Sequence, residues 1–323
     1  MNNLLSSKRR SGDRCFLLPS AGGAFFATGA FHAVVRPNYF SGRSLSGAIA
    51  AFLVAATGIS PASAELQILK EQPWLGYHSG YADKKYKIGL AGDGKITLTI
   101  IGEKAAPVSE LSAITIVVCV AEVLPDGKTV MRQMKPESLE SAQAPTDQLE
   151  KTVITGKVAG DAVFEFTLEQ IRGVISMGGR LIDPGTLVKN PLHFTVSVKF
   201  PSVYSYDLKG DKLNDKKELK AFEKKVENDH IDMKWTDGKR KKQTFEEAVD
   251  AGSADINGPG ISGAEIDVGA YKGKKFLIMA SGNSAMKLWN PKAAPLHEGF
   301  SIHWQPDSAL DKEGKSRITI DVR

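Results

Sequence analysis

Short runs of β-branched residues, each closed by a turn signal, recur along this chain and constrain its fold more than any other feature. The strongest run, Ile114 to Leu124, is followed by Pro125-Asp126-Gly127, a sequence typical of a tight turn. A second run, Leu192 to Phe200, alternates apolar and polar side chains with the period of a half-buried strand. This pattern predicts antiparallel strands that follow one another as a meander.

We therefore expect a mainly β protein made of antiparallel β-sandwich units, with one charged, partly helical segment that connects them. Trp74 to Tyr81 is expected to form an aromatic, glycine-rich loop. Further strands are predicted at 86–91, 95–101, 128–134, 152–158, 162–168, 173–183, 264–268, 275–280, 285–289, 300–304 and 317–322.

The charged segment lies between Asp207 and Asp250 and contains 12 basic and 12 acidic residues. Within it, Leu219, Phe222 and Val226 recur at spacings of three and four, which predicts an amphipathic helix over 215–228. Residues 244–247 have the Thr-x-x-Glu spacing of a capping box and predict the start of a short second helix.

The first 64 residues read as a leader for export. An apolar run over Gly47 to Ile59 ends at Ala62-Ser63-Ala64, the small-x-small pattern that a signal peptidase accepts. Cleavage after Ala64 would leave 323 − 64 = 259 residues and a periplasmic or extracellular protein. The length of the leader leaves two alternatives open, a twin-arginine signal at Arg9-Arg10 and a translation start near Val34.

The net charge of +5 belongs entirely to this leader, which holds six basic residues against the single acid Asp13: Lys8, Arg9, Arg10, Arg14, Arg36 and Arg43. The remaining chain has 42 − 6 = 36 basic and 37 − 1 = 36 acidic side chains. A protein that binds phosphate backbones needs a surplus of Lys and Arg on its working surface, so nucleic acid is not an expected partner. No transmembrane helix is expected after residue 64, because no apolar run reaches the length of a membrane span.

The predicted domains are a β-sandwich domain over 65–206, the charged connector over 207–252 and a C-terminal β unit over 253–323. One interpretation of the C-terminal unit is a duplicate of 84–134, since Lys84 to Ile88 resembles Lys274 to Ile278 at an offset of 190 residues. Short patterns of Lys, Ala and Gly also recur by chance, and that alternative stays open.

The strongest pattern for catalysis is Glu265-Ile266-Asp267, whose two acids share one face of a strand. It resembles part of the Glu-x-Asp-x-(x)-Glu motif of the laminarinase-like retaining glycoside hydrolases, which implies a carbohydrate-active enzyme centred on Glu265 and Asp267. The second glutamate of that motif is missing, because Gly269 and Ala270 occupy its place. Without a proton donor about 5 Å from the nucleophile the retaining mechanism fails.

Aromatic side chains provide the other candidates. Flat amphipathic rings stack on sugars, but they also fill cores. The candidates for ligand binding are Trp74, Tyr77, Tyr81, Trp289 and Trp304.

No metal site or cofactor is expected, because no two histidines have the i, i+4 spacing of a zinc-binding helix. Cys119, the single thiol after residue 64, is expected inside a buried strand. The preferred interpretation is an exported, soluble, non-catalytic binding or structural protein whose partner is a glycan or another exported protein. The enzyme centred on Glu265 and Asp267 is the alternative.

Overall fold

The computed structural model describes residues 65–102, 108, 112–202, 216–247, 260–290 and 294–323. The leader and its cleavage site, predicted over residues 1–64, lie outside the described residues. Export therefore stays a prediction from the sequence.

Seventeen strands and one α-helix make up most of the described chain. The helix α1 spans Lys216–Val226, within the predicted 215–228. The strands are β1 Tyr77–Ala82, β2 Tyr86–Ala91, β3 Ile96–Ile100, β4 Ile114–Val123, β5 Thr129–Gln133, β6 Glu140–Ser141, β7 Lys151–Lys157, β8 Val163–Ile171, β9 Val174–Asp183, β10 Leu192–Phe200, β11 His230–Trp235, β12 Arg240–Thr244, β13 Ile261–Asp267, β14 Lys275–Ser281, β15 Ser284–Trp289, β16 Phe300–Pro306 and β17 Arg317–Val322.

The strands pair antiparallel into one curled sheet, which confirms the mainly β, antiparallel fold class. From β1 the pairing runs through β2, β3, β4, β10 and β16 to β15. Strand β5 pairs with β4 on the edge opposite β10, which it shares with β3. From β6 it runs through β7, β8, β9, β17 and β14 to β13, from which β11 and β12 continue. A bridge between Ile261 and Met286 connects the two series.

The pairs β10–β16 and β9–β17 join strands that precede the charged segment to strands that follow it. The two stretches therefore share a sheet. The domain boundaries at 206 and 252 and the proposed duplication stay predictions.

The core is built from alternate residues of these strands. In one row across four neighbouring strands, Val118, Val196, Trp304 and Met286 stand opposite one another, and all are at most 1% exposed. Each fully buried apolar side chain of this size stabilises the fold by about 1.5–3 kcal/mol relative to exposure. Because successive side chains in a strand point to opposite faces, the next row must face away from this core.

The stretch predicted as an aromatic loop contains strand β1, so that part of the prediction is wrong. Two glycines provide the room that the rings need. A Cβ atom on Gly80 would lie 2.3 Å from ring carbons of Trp74, and one on Gly89 would lie 2.4 Å from Tyr77. Glycine within a strand therefore marks close approach of a ring to the backbone rather than an interruption of the strand.

The short helix predicted to start at Thr244 does not form over residues 244–247. Thr244 is the last residue of β12, and 245–247 form bends. Phe245 is 2% exposed, its ring packs at 90° on Phe300, and its amide donates to the carbonyl of Asp229. Tertiary packing has overridden the local capping signal.

The described part of the chain contains no helix whose length and hydropathy would let it cross a bilayer. Its α-helix α1 has 11 residues, of which Phe222 and Val226 are buried in the hydrophobic core.

Candidate functional site

The row of residues next to the core row described above forms the floor of a groove. Val117, Ser197, His303 and Lys287 are paired in register across β4, β10, β16 and β15. The groove has a volume of about 510 Å³, within the range of small-molecule sites. Its lining comes from five adjacent strands: Val117, Cys119, Thr129, Met131, Gln133, Ser197, Lys199, Lys287, Trp289, His303 and Gln305.

Two polar atoms on this floor are buried without a hydrogen-bond partner among the described residues. They are the hydroxyl oxygen Oγ of Ser197 and the imidazole nitrogen Nε2 of His303. Ser197 is 1% exposed. Buried polar groups are almost always paired, because an unpaired one costs about 1–3 kcal/mol. A groove that retains two such groups side by side is prepared for a ligand that satisfies them.

His303 is neutral at physiological pH. Burial lowers the pKa of its imidazole to about 4, and the nearby Lys199 ammonium lowers it further in the same direction. A neutral imidazole donates from one nitrogen and accepts at the other. It can therefore hydrogen-bond a ligand without adding a charge of its own.

The ring of Trp289 stands at one side of the floor. It is half-buried, and its centroid lies 5.2 Å from that of His303 with the planes at 85°. Perpendicular rings of this kind hold each other in position. Trp289 is therefore a fixed aromatic surface beside the unpaired polar atoms of Ser197 and His303.

Two further polar groups of the groove, Gln305 and Cys119, are occupied or inert. The Gln305 amide nitrogen Nε2 donates to Thr195 Oγ1 at 3.1 Å, and the Cys119 thiol lies 3.8 Å from the Thr195 carbonyl. Burial raises the pKa of the Cys119 thiol to about 12, so it stays protonated. A protonated, buried thiol is a poor nucleophile and a poor metal ligand.

The pair Ser197 and His303 does not form a catalytic relay. Their unpaired atoms are not hydrogen-bonded to each other, and the lining residues that the structure describes include no carboxylate to orient the imidazole. Activation of a serine requires both contacts. The arrangement is suited to holding a ligand.

Trp304, a sequence-predicted ligand residue, lies on the opposite face of β16. It is fully buried, and its ring packs edge to face on Phe194 with centroids 6.3 Å apart. Its ring has no exposed surface, so it stabilises the core beneath the groove and cannot stack on a ligand.

Trp74 and Tyr77 lie together at β1, away from the groove. Trp74 is 7% exposed, and its ring meets that of Tyr77 at 89°. The Lys87 ammonium nitrogen lies 4.3 Å from the centroid of the Trp74 ring and donates to the Pro73 carbonyl at 3.1 Å. Lys87 thus covers Trp74 and forms a cation–π contact in the place that a sugar ring would need.

Tyr81 lies at the other end of β1 and is partly buried against the core. Its hydroxyl donates to Asp83 Oδ2 at 3.4 Å, and its ring is tilted at 46° to Tyr86. The structure therefore divides the five aromatic candidates among separate places and leaves Trp289 in the groove.

Glu265 and Asp267 share one face of β13, as their spacing predicts, and do not line the groove. Lys275 lies between them, with its Nζ 2.7 Å from Asp267 Oδ2 and 3.7 Å from Glu265 Oε1. The hydrogen bond with Asp267 raises the pKa of the Lys275 ammonium. Across the strand pair, Glu265 stands opposite Asp232, whose side chain is 55% exposed and contacts His230.

These side chains form a ladder of mixed charges on a solvated face, since Glu265 itself is 40% exposed. A catalytic carboxyl pair requires a proton donor in a sheltered position. Asp255, a conceivable partner, lies outside the described residues. The enzyme alternative thus stays a prediction.

Nowhere in the described ranges do three or more His, Cys, Asp or Glu side chains come close enough to hold a metal ion.

Sequence reasoning missed Ser197, Lys199 and His303. Alternation within Leu192–Phe200 does place Thr195, Ser197 and Lys199 on the face opposite the core. Nothing in the sequence pairs this strand with β16, about a hundred residues further along. The groove depends on that pairing.

Comparison with known proteins assigns no family. No family model matches the chain, and no curated protein matches it. Two solved structures of the alpha-N-acetylgalactosaminidase NagBb from Bifidobacterium bifidum, a GalNAc complex and a Gal-NHAc-DNJ complex, align with a TM-score of 0.44 and 9% identity. The alignments cover 76% of this chain and only 35% and 36% of that enzyme. A likeness this distant carries no argument about ligand or activity.

Proposed function

We propose that this protein is an exported, non-catalytic binding protein whose site is the groove over β4, β10 and β16. The observation that carries the proposal is the pair of buried, unpartnered polar atoms, Ser197 Oγ and His303 Nε2, on the floor of a groove edged by Trp289. Export is supported by the signal pattern over residues 47–64.

The ligand class that suits these groups is a sugar. A pyranose ring has an apolar face that packs on an indole and hydroxyl groups that pair with isolated donors and acceptors. In the groove, Trp289 supplies the first contact, and Ser197 and His303 supply the second.

The test is binding of the full chain to a panel of mono- and oligosaccharides, followed by calorimetry and by assay for hydrolysis. We expect binding without turnover. Trp289→Ala should weaken the binding by roughly 5- to 150-fold, since stacking contacts with an aromatic side chain contribute about 1–3 kcal/mol.

The matched control is Tyr77→Ala, which removes a half-buried aromatic ring outside the groove. Loss of binding in Tyr77→Ala with retention in Trp289→Ala would move the site to β1 and contradict the proposal. Turnover that Glu265→Gln abolishes would establish the enzyme alternative instead. Failure to bind any sugar of the panel would count against the sugar class.

A further inference from the structure

The charges around the groove distinguish acidic from neutral ligands. Lys199 is an exposed cation of the lining, and none of the described lining residues is an Asp or Glu. The chain after residue 64 has equal numbers of basic and acidic residues, so this local excess does not follow from overall composition. The described part of the groove is therefore positively charged at Lys199, in a protein of balanced charge.

Lys199 is the cation best placed to meet a ligand. It is exposed, and none of the described carboxylates forms an ion pair with it. Its cross-strand neighbours, Thr115 on β4 and Ser301 on β16, are uncharged. The positive charge of its ammonium acts to lower the pKa of two groups on the groove floor, His303 and Cys119.

The unpaired floor atoms lie next to this cation. Ser197 and His303 are direct partners across β10 and β16, which places their Cβ atoms about 4.5–5.5 Å apart. Ser197 Oγ and, in its Nε2–H tautomer, His303 can both donate beside one ammonium, which matches an anion with two oxygen atoms, because a carboxylate accepts several hydrogen bonds at once.

We propose that the groove selects a sugar that carries a carboxylate, such as a uronic acid residue, with the carboxylate at Lys199, Ser197 and His303 and the pyranose ring on Trp289. This inference rests on the proposed function, because it specifies the ligand of the same groove. It predicts preference for an acidic sugar over its neutral counterpart of the same ring stereochemistry.

The experiment compares galacturonate and glucuronate oligomers with galactose and glucose oligomers of equal length, and with a sulfated galactose oligomer, by calorimetry at two salt concentrations. For the full chain we expect the uronate to bind about tenfold more tightly than the neutral sugar. Lys199→Met, which keeps the aliphatic stem, should reduce the ratio of uronate to neutral-sugar affinity about 5- to 10-fold. Lys199→Arg should restore the preference.

The matched control is Lys241→Met on β12, an exposed lysine outside the groove, which should change neither affinity. If neutral and acidic sugars bind equally well and Trp289→Ala abolishes the binding of both, the carboxylate inference is overturned and the proposed function stands. Tighter binding of the sulfated sugar would overturn the carboxylate assignment. Absence of all sugar binding would overturn both proposals.

Discussion

The neutral state of His303 has a consequence for stability that can be measured without knowing the ligand. In the unfolded chain its imidazole has a pKa of 6.5, and in the folded protein burial lowers that pKa to about 4. The groups that face it are the cations Lys199 and Lys287 and the protonated thiol of Cys119, and none of them favours an imidazolium.

The sign of the effect follows from proton binding. Between pH 6.5 and pH 4 the unfolded chain takes up a proton at His303 that the folded protein does not, so the free energy of unfolding falls as the pH falls through this window. The difference between a pKa of 6.5 and one of about 4 corresponds to about 3 kcal/mol of unfolding free energy, which is fully present above pH 7 and fully lost below pH 4. This is a large part of the stability of an ordinary domain.

The perturbation is His303→Gln, which removes the titrating group and keeps a polar side chain of similar size. Urea unfolding of both proteins at intervals from pH 8 to pH 4 gives the difference in unfolding free energy at each pH. The carboxylates that titrate in the same window are common to both proteins and cancel. We expect a constant difference above pH 7 and a change of about 3 kcal/mol in favour of the variant by pH 4.

An independent measurement is the NMR titration of the His303 ring in the folded protein, which should have its midpoint near pH 4. A midpoint near 6.5, or a stability difference that does not change with pH, would show that water solvates this nitrogen. The reasoning that treats the groove floor as a desolvated site would then be refuted.

Three further predictions concern the fold and the leader. Gly80→Ala should lower the unfolding free energy by about 1–3 kcal/mol in urea, because its Cβ would lie 2.3 Å from the Trp74 ring; an unchanged midpoint would contradict that packing. Cys119 should resist alkylation at pH 8 in the folded protein and react fully in denaturant, since burial raises the pKa of its thiol to about 12; rapid labelling of the native protein, detected by peptide mass spectrometry, would refute its burial. N-terminal sequencing of the exported protein should begin within one or two residues of Glu65, and a distant start would exclude cleavage after Ala64.

Much of the fold was predictable because its signals are local. Strands β2, β10 and β17 begin and end at the residues expected from the sequence, and the helix α1 lies inside its predicted range. The failures occur where distant residues decide the outcome. Trp74 and Tyr77 pack over glycines of β1 and β2, and Phe245 turns inward onto Phe300, and in both cases long-range packing outweighs the local pattern.

The candidate site was predictable only in part, since a site needs neighbours as well as residue types. Trp289 and Trp304 look equivalent in the sequence, each ending or following an apolar run. In the structure one edges the groove and the other is buried beneath it. Trp289 and Trp304 differ in burial because side chains alternate between the two faces of a sheet, and the sequence does not reveal which face the core will cover.

By itself, the sequence determined that this chain is built from antiparallel strands, because alternation and turn chemistry act over a few residues. It also determined that the net charge of the chain resides in the first 64 residues. Only the tertiary structure decided that β10 lies between β4 and β16, which brings Ser197 and His303 together and leaves their polar atoms unpaired beside Lys199. Strand order in a sheet depends on the burial of the whole core, so residues a hundred positions apart become neighbours for reasons that no local pattern records.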